Sequence, residues 1–541
     1  MVTPVFRTPV LIVGAGLTGC LLALELAHHR VSTVVLERAA RPPRHPDLTL
    51  VDGRSVELLR RLGLADRVRA AAVDPSCPVE VLWSRRLDQA PVHISNLPSP
   101  AELARAYSVG TDEDALVEPY LLVTSADLTS ALLDAVRAHP LIDLRTGWTC
   151  TDLRQEPGGT VATALDAGTG TRHQIEAAYL AGCDGAHSTV RRCLGVPVDE
   201  LEPARHHLSI AFHYALDTGP LETRNPGPTM IVAGGITLSR RYPTDAWVAH
   251  LPLERDEAAE TDPARLLRDR LGIDLDGPDL LGVAQWDDGL GVASHFRRGT
   301  TFLAGQSAHR FHPPSSRVDT CVGDAVDLGW KLAAAVHGWA GPALLASYEG
   351  ERRQQALLDR EMLVRAVETR RRFGRLAASG ASADFLARFV IQEPPQLDPA
   401  GTVRSGADTR SPVLWQENPG AAAGRPGARP ARRGVRLGVR PPAVRLAGGE
   451  PLLDRLGPQF TLVDLTGKAA GKPLVAAAEG RGVPMTYFGL ADAAVRASWA
   501  SRLVLIRPDQ HVAWHADRSP SDWEAILDVV TGRHPQDHVN T

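Results

Sequence analysis

The pattern of apolar and polar positions near the N-terminus predicts a strand, a helix and a second strand. Residues 10–13 form a continuous apolar run, which is typical of a parallel strand buried on both faces. A glycine-rich turn covers residues 14–19, and residues 20–29 then carry apolar side chains at helical spacing. Residues 31–36 form a second β-rich run that ends in Glu37. The pattern therefore predicts a β-α-β unit with glycines at its first turn.

Gly14, Gly16 and Gly19 have the spacing of a nucleotide-binding turn. They allow a tight turn, close approach of the backbone to a pyrophosphate and close packing of helix on strand. The helix N-terminus adds free N–H groups and the positive end of its dipole. Glu37 lies about twenty positions further on, where it can accept hydrogen bonds from a ribose diol. We predict a site for an adenosine diphosphate group, and the fingerprint alone leaves FAD and NAD both open.

Later segments predict further domains. Residues 207–214 and 246–251 are interpreted as strands of a half-exposed sheet. Residues 349–372 form a charged helical stretch. Residues 395–445 are rich in proline, glycine and arginine, which indicates a long linker or an irregular surface crossing.

Composition narrows the class of partner. The 541 residues are 44% hydrophobic and 23% charged, as expected for a globular protein. This length corresponds to about two to four domains. A formal charge of −4 gives no field that would gather nucleic acid or an anionic membrane. We therefore expect a small-molecule partner, no nucleic acid and no membrane.

Cysteine usage and the first residues predict the compartment. The six cysteines show no CxxC or metal-ligand spacing, so we expect mostly buried, reduced thiols. The first apolar run is short and follows no strongly charged leader, which argues against a signal peptide or a membrane anchor. We predict a cytoplasmic protein.

Three separated motifs resemble one known family. Residues 179–192 read Tyr-Leu-Ala-Gly-Cys-Asp-Gly-Ala-His-Ser-Thr-Val-Arg-Arg, which resembles the DG motif of flavoprotein aromatic hydroxylases. These are the single-component FAD monooxygenases, which include hydroxylases of phenols and of polyketide antibiotics. Residues 53–64, and residues 302–305 leading to residues 324–333, resemble the same family in order and spacing. The resemblance selects FAD over NAD, although a shared fold does not settle function.

The resemblance implies a fold and a set of cofactor contacts. It implies an α/β chain with a Rossmann-like FAD-binding domain, an inserted β-sheet substrate domain and a C-terminal thioredoxin-like domain. The FAD-binding domain would be discontinuous, formed by residues 1–80, 115–195 and 295–375. The sheet domain would take residues 81–114 and 196–294, followed by a helical or linker region at 376–440. Cofactor contacts are expected from Gly14, Gly16, Gly19, Glu37, Arg38, Asp184, Gly185 and Gly305.

Residues 441–541 are expected to form the thioredoxin-like domain. The segments 452–463 and 502–514 carry the resemblance to the polyketide-hydroxylase branch, and the domain contains no cysteine. A thioredoxin fold without thiols cannot exchange disulfides. We therefore expect a structural or oligomer-forming role, with a homodimer as the assembly considered.

Residues 305–321, which should hold the flavin ring, depart from the family pattern. Gln306 stands where the family has an aspartate that binds the ribityl chain, so a charge-assisted hydrogen bond is given up. The family's Gly-Gly-x-Gly-Met-Asn loop is replaced by residues 315–319, which contain no glycine and are two residues shorter. Two residues are about 7 Å of chain reach. Asp319 also puts a carboxylate where a neutral asparagine is expected, and this charge would oppose reduction of the ring.

Two further departures affect the same half of the cofactor. Asp47 stands where the family tends to have Arg or Lys, and Ser125 stands where it tends to have a glutamine that contacts the flavin. The residues expected to bind the adenosine half keep the family pattern. Ordinary divergence in a working hydroxylase is one interpretation, and weakened or lost flavin redox chemistry is the other.

No catalytic base can be named from these residues. His309 and His312 could act as acid or base near a ring site, but a structural role is the stronger interpretation. Asp112, Glu113 and Asp114 follow a glycine and are interpreted as a solvated loop. No metal spacing is present, so no metal site is predicted.

Two enzyme hypotheses and one alternative without catalysis follow. The leading hypothesis is a tailoring enzyme with non-redox ring formation or isomerisation, similar to the family's [4+2] cyclases, on a bulky apolar biosynthetic intermediate. FAD would then be structural or lost. The runner-up is an FAD-dependent monooxygenase of the same pathways, which would also use NAD(P)H. A catalytically dead scaffold is the third hypothesis.

Overall fold

The computed structural model describes residues 5–40, 48–109, 116–201, 205–214, 227–233, 235–241, 245–253, 262–271, 279–311, 318–393, 411–415 and 434–533. The strands of these residues are β1 Val5–Val13, β2 Thr33–Glu37, β3 Leu48–Val51, β4 Val79–Ser84, β5 His93–Leu97, β6 Leu121–Thr124, β7 Ile142–Thr146, β8 Trp148–Glu156, β9 Gly159–Asp166, β10 Arg172–Gly182, β11 Val198–Glu200, β12 His206–His213, β13 Thr229–Ala233, β14 Ile236–Arg241, β15 Ala246–Pro252, β16 Asp279–Asp287, β17 Gly291–Ala293, β18 Arg297–Arg298, β19 Thr301–Leu303, β20 His309–Arg310, β21 Phe460–Asp464, β22 Met485–Gly489, β23 Leu503–Ile506 and β24 Val512–Ala516.

The helices are α1 Leu17–His28, α2 Gly53–Arg61, α3 Ala65–Ala70, α4 Pro100–Val109, α5 Ser125–Ala138, α6 Thr189–Cys193, α7 Pro263–Leu271, α8 Val318–Val336, α9 Pro342–Ala378, α10 Ala383–Gln392, α11 Lys472–Gly480, α12 Ala493–Trp499 and α13 Trp523–Val530. Short 3₁₀ turns cover Gly305–Ser307 and Leu452–Arg455. In the described part of the chain, no helix combines the length and the apolar character needed to cross a bilayer.

A mostly parallel sheet forms the centre of the first domain. Its strands run in the order β18-β19-β10-β1-β2-β7, with β9 added to β10 and β8 added to β9. β1 pairs in parallel with both β10 and β2, so its apolar residues are buried on both faces, as the sequence predicts. α1 packs against α8 over this sheet. The predicted β-α-β unit is present. Its helix begins at Leu17, three positions before residue 20, where the apolar pattern predicts the start.

A second sheet has the order β16-β12-β15-β14-β13-β4-β5. α7 packs on one of its faces, where Leu266 and Leu267 join the core of Ile210 and Trp247. The prediction of a half-exposed sheet is wrong for β12, because residues 208–212 are buried on both faces. The second face is covered at its β4 end by elements distant in sequence, where Phe373 of α9 joins the core beneath Trp83, together with α10.

The C-terminal residues form a four-stranded sheet in the order β22-β21-β23-β24. β21 pairs in parallel with β22 and antiparallel with β23. Its core extends into the first domain, since Trp330 of α8 and Trp339 pack against Phe460 with ring centroids 5.9 and 6.0 Å apart. The segment 452–463 is only partly strand, because Leu452–Arg455 turns before Gly457 and Pro458.

A buried cluster of charges joins the C-terminal domain to α8 and α9. Arg507 Nη2 lies 2.9 Å from Asp327 Oδ1 and 2.8 Å from Glu351 Oε2, and Arg507 Nε donates to Asp509 Oδ1 at 3.1 Å. Lys331 Nζ lies 2.9 Å from Asp327 and 3.2 Å from Glu351. All five side chains are buried. The three carboxylates could hold a cation by their spacing, but each of them already pairs with Arg507, and two of them also pair with Lys331.

Replacing Arg507 by methionine should destabilise the protein by about 3–5 kcal/mol, because three buried carboxylates would lose their shared partner. Urea unfolding of the purified variant measures the change. Arg502→Met is the matched control, since this arginine is exposed directly before β23, the strand that Arg507 follows. Equal stability of the two variants would contradict the role given to Arg507.

The stability contribution of Asp327 should depend on pH. Burial raises the pKa of Asp327 from 3.8 to about 7, and the neighbouring Glu351 and Asp509 act in the same direction against Lys331 and Arg507. A raised pKa means that the folded state holds a proton which the unfolded state has released. The contribution is therefore complete below about pH 4 and is lost as the pH rises through about 7.

Asp327→Asn cannot titrate, so we expect the stability of the wild type relative to this variant to fall between pH 4 and 7. The slope should approach about 1.4 kcal/mol per pH unit. Urea unfolding of both proteins across this range provides the measurement. A constant difference over the range would show that Asp327 is ionised throughout.

Candidate functional site

The glycine turn between β1 and α1 leaves space at the end of the helix. Gly14 has a φ of +103°, and a Cβ there would lie 2.4 Å from the carbonyl oxygen of Cys183. A Cβ on Gly19 would lie 1.9 Å from the carbonyl oxygen of Gly14. A Cβ on Gly16 would meet nothing within 4 Å. Two glycines thus serve backbone packing, and the third opens the N-terminus of α1, where no side chain caps the helix.

Glu37 lies at the end of β2 beside this turn. Its Oε2 accepts a hydrogen bond from the N–H of Ala15 at 2.8 Å, and its Oε1 accepts one from Ala39 at 2.8 Å. The carboxylate is thereby held next to the open helix N-terminus. Arg38 follows and is exposed. The structure therefore brings Gly14, Gly16, Gly19 and Glu37 together, as the fingerprint predicts.

Asp184 and Gly185 lie where β10 ends and α6 begins. Asp184 Oδ2 accepts hydrogen bonds from the N–H groups of Thr189 and Val190, at 2.7 and 3.1 Å. Ser307 donates to Asp184 Oδ1 and accepts from the N–H of Gly185, both at 3.1 Å. The carboxylate thus caps α6 and holds the turn at 305–307. Gly185, with a φ of +81°, provides the sharp bend.

Gly305 begins the turn that carries Gln306. Its φ is +63°, and a Cβ there would lie 2.2 Å from Thr18 Oγ1 of α1. The N–H of Gly305 donates to Asp324 Oδ2 at 2.9 Å. Gln306 is half-buried in this turn. These contacts join the turn at 305–307 to both α1 and α8. In the family, this turn carries the residue that binds the ribityl chain.

Asp324 is the residue of this region that the sequence did not single out. It is fully buried and contacts His309 Nε2 at 2.9 Å and Arg352 Nε at 2.8 Å. Burial alone would raise the pKa of Asp324, but His309 and Arg352 hold this pKa below its ordinary value. Only the tertiary structure brings α8, α9 and β20 together here, so no local signal identified this carboxylate.

His309 has a structural environment. Its ring is buried and stacks on Phe311 with centroids 4.9 Å apart, while Nε2 contacts Asp324. Enclosure by protein supports the structural interpretation over acid or base chemistry at this residue.

Asp319 lies in the first turn of α8 and is buried. Its Oδ1 accepts a hydrogen bond from the N–H of Asp52 at 2.9 Å. Asp52 in turn caps α2 through the N–H of Ser55 at 2.7 Å. Two carboxylates therefore stand at the N-termini of two adjacent helices. Ser125, the other described departure, is the first residue of α5.

Several predicted residues lie outside the described part of the chain. They are the loop at 312–317, which includes His312, then Asp47, and the acidic residues at 112–114. The six cysteines are all described and form no disulfide among themselves.

Comparison with known families adds to this geometry. A family model for the FAD binding domain matches residues 7–360, and a model for the C-terminal part of aromatic-ring hydroxylases matches residues 435–533. The chain belongs to the FAD-binding aromatic-ring hydroxylase family. It is a flavoprotein-type enzyme with this family's fold, including the C-terminal domain.

Individual relatives cover from about two thirds to nearly all of the chain. The FAD-dependent monooxygenase apdD of Emericella nidulans is 28% identical over 98% of this chain and 92% of its own length. The dialkyldecalin synthase of Streptomyces rugosporus is 31% identical over 63% of this chain and 69% of its own length. A monooxygenase and a synthase are therefore both similar to this chain.

Solved structures agree on the architecture. The rebeccamycin biosynthetic enzyme RebC, solved with reduced flavin, has a TM-score of 0.83 at 28% identity and covers 98% of this chain and 100% of that chain. Aklavinone-11 hydroxylase, solved with FAD and aklavinone, has a TM-score of 0.78 at 24% identity, with 97% and 99% covered. The second likeness shows the fold alone.

The residues at the adenosine end fit FAD. The open position at Gly16, the uncapped N-terminus of α1 and Glu37 at the end of β2 can take a pyrophosphate and a ribose. At the ring end the chain offers Gln306 and the buried Asp319 instead of the family's residues. The fit is therefore good for one half of the cofactor and altered for the other.

Substitutions of Gly16 and Gly19 should have different effects on FAD binding and on stability. Gly16→Ala places a methyl group in open space at a φ of −70°, so we expect unchanged thermal stability of the apoprotein and weaker FAD binding. Gly19→Ala should instead destabilise the apoprotein, because its methyl group would overlap the carbonyl of Gly14. Thermal unfolding without FAD and fluorescence titration with FAD measure the two effects. Equal destabilisation by both substitutions would contradict this division.

Proposed function

We propose that this enzyme tailors a bulky, largely apolar polyketide-like intermediate by non-redox ring formation or isomerisation, with FAD in a structural role. The observation that carries the proposal is the carboxylate of Asp319 in the first turn of α8. A helix N-terminus favours negative charge because its N–H groups and dipole point towards it. Here the chain supplies that negative charge itself.

The carboxylate of Asp319 would affect a flavin ring that is bound beside α8. The family's loop before this helix faces the pyrimidine edge of the ring, and reduction makes the ring anionic. Asp319 is buried and is fixed on the N–H of Asp52, so its carboxylate cannot turn out to solvent without breaking that bond. A second negative charge at the same place is repelled through a medium that screens weakly. The arrangement therefore disfavours reduction.

Gln306 also favours a structural role for FAD. Its amide can hydrogen-bond to a ribityl hydroxyl, but it lacks the charge that makes carboxylate hydrogen bonds roughly twice as strong. The cofactor would thus be held mainly by its adenosine end. Such binding suits a structural FAD better than one that must be positioned for redox chemistry.

Ring formation needs little from a redox centre. Holding a flexible substrate in one reactive conformer can lower a barrier by about 7–11 kcal/mol through orientation alone. The similarity to the dialkyldecalin synthase of Streptomyces rugosporus supports this class of reaction on the same scaffold. A cavity between the two sheets' domains would need to exclude water and fix the chain of the substrate.

A second candidate function is FAD- and NAD(P)H-dependent hydroxylation. The observation that favours it is the similarity to monooxygenases over 98% of the chain, together with the intact adenosine end. FAD, when bound, would supply the activation of oxygen, and NAD(P)H would supply the electrons. This candidate requires the ring to be reducible despite Asp319.

Deleting the gene in its host and comparing metabolites by mass spectrometry tests these functions. A precursor and a product of equal mass support the non-redox proposal. A product heavier than its precursor by one oxygen atom overturns it in favour of hydroxylation. Unchanged metabolites would indicate a scaffold without catalysis.

Asp319→Asn should make the bound flavin easier to reduce, by about 30 mV or more, which corresponds to about 1.4 kcal/mol for two electrons. The asparagine oxygen can still accept from the N–H of Asp52, so the helix contact is retained. Spectroelectrochemical titration of the FAD-loaded protein measures the potential. The matched control is Asp384→Asn, an exposed residue in the first turn of α10. Equal potentials in both variants would remove the main support for the proposal.

A further inference from the structure

Arg507 of the C-terminal domain holds two helices of the first domain together. Its Nη2 donates to Asp327 Oδ1 of α8 at 2.9 Å and to Glu351 Oε2 of α9 at 2.8 Å, and its Nη1 donates to Glu351 Oε1 at 3.0 Å. These three residues are called the clamp below. Without the guanidinium, only Lys331 would lie between the two carboxylates, and buried like charges repel strongly because the interior screens weakly. The clamp therefore decides how closely α8 and α9 approach each other.

The same two helices hold the cofactor turn. Asp324 lies three residues before Asp327 on α8, and Arg352 follows Glu351 directly on α9. Arg352 Nε donates to Asp324 Oδ1 at 2.8 Å, and Asp324 Oδ2 accepts the N–H of Gly305 at 2.9 Å. A separation of α8 from α9 at the clamp would therefore reach this ion pair within one helical turn.

α9 also contacts the strand that leads into the cofactor turn. Tyr348, three residues before Glu351, donates its hydroxyl proton to the carbonyl oxygen of Leu303 at 2.8 Å. Leu303 is the last residue of β19, and the turn that carries Gln306 starts two residues later. The strand and the turn are thus both held by residues close to the clamp.

The cluster around the clamp contains one more carboxylate than it has bases. Asp509, beside Arg507, is the third carboxylate, and Lys331 is the second base. Arg507 Nη2 has two N–H groups but lies within hydrogen-bonding distance of all three carboxylates. At full ionisation, one buried negative charge would have no base of its own. Burial of such a charge is costly, so the cluster favours one bound proton.

Asp327 is the group of this cluster that titrates near neutral pH. Burial raises the pKa of Asp327 from 3.8 to about 7, and its two acidic neighbours act in the same direction against the two basic ones. Burial also opposes the charge of Glu351 and of Asp509, but Arg507 holds the pKa of both below its usual range. The proton of the cluster is therefore assigned to Asp327.

The other groups that face this cluster keep one charge state at neutral pH. Arg352 faces Asp327 from α9 and is itself ion-paired. Tyr348 also faces it from α9, and burial raises the pKa of this phenol well above its usual value. His511 lies 3.2 Å from Asp509, and burial lowers the pKa of His511 below 6.5, so the ring is neutral.

We propose that the C-terminal domain regulates FAD binding through the clamp, which closes when the cluster holds its proton and opens when that proton is released to solvent. In the closed state Arg507 draws α8 and α9 together and fixes the turn at 305–307. In the open state the excess negative charge weakens the contact between the C-terminal domain and these helices. The inference goes beyond the reaction proposed above and applies to a redox or a structural FAD alike. Arg507 acts on the cofactor through other residues and is a positioning residue.

Hydrogen exchange of the full-length apoprotein between pH 6 and pH 9 tests the opening. Protection factors, which correct for the intrinsic exchange rate, should fall by up to about tenfold per pH unit above pH 7 in β21 and β23 of the C-terminal domain. They should stay constant in β12 and β15 of the second sheet, which lie outside the cluster. Constant protection in β21 and β23, or an equal loss in the second sheet, overturns the proposal.

Asp327→Asn tests the assignment of the proton. The amide has the shape of a protonated carboxyl group and cannot ionise, so protection of β21 and β23 should be independent of pH in this variant. Asp384→Asn, at an exposed position on α10, is the matched control and should behave like the wild type. A loss of protection in Asp327→Asn equal to that of the wild type contradicts the proposal.

Fluorescence titration with FAD tests the link to the cofactor site. The dissociation constant of the wild type should rise by roughly threefold or more from pH 6 to pH 9 relative to that of Asp327→Asn, because only the closed state fixes the turn. Coupling between two sites is reciprocal, so FAD should raise the protection of β21 and β23 at pH 9. A ratio of the two constants that is independent of pH, or protection that FAD does not change, overturns the proposal. The exchange measurements on the wild type need no variant and decide the question if Asp327→Asn does not fold.

Discussion

One buried carboxylate, Asp324, holds together the segments that shape the cofactor site. It accepts the N–H of Gly305 and contacts both His309 and Arg352. Burial opposes its charge, so the ionised form persists only because two partners and a backbone donor surround it. Through these bonds α8, α9, β20 and the turn at 305–307 take fixed positions. α9 then continues to the second sheet, so the position of that sheet depends on the same anchor.

Buried carboxylates elsewhere in the molecule also need partners that stabilise their charge, but they have different roles. At the C-terminal domain, Arg507 and Lys331 pair with three buried carboxylates and join two domains. At the start of α8, Asp319 is stabilised by a helix N-terminus and by the N–H of Asp52. The first arrangement serves assembly. In the second arrangement, Asp319 occupies the positive end of α8, which could otherwise stabilise an added anion such as a reduced flavin. The fold is thereby linked to the proposed loss of redox chemistry.

The second sheet shows where local patterns mislead. Residues 207–214 were expected to form a strand of a half-exposed sheet, but residues 208–212 are buried. They are buried because α7 covers one face, and Trp286 and His250 contact Ser209 on the other. The hydrogen bonds that join Trp286, Ser209 and His250 could not be predicted either, since these residues are far apart in sequence and meet only through strand pairing.

The sequence by itself determined the β-α-β unit and the glycine turn with Glu37, because these depend on short periods and on steric limits within a few residues. Three motifs along the chain also identified the family by resemblance. The sequence also located the altered segment at Gln306 and Asp319. Only the tertiary structure decided the partners of Asp324, Arg507 and His250. Their charges and hydrogen bonds join residues from separate elements, and no local pattern encodes which distant donor reaches a buried acceptor.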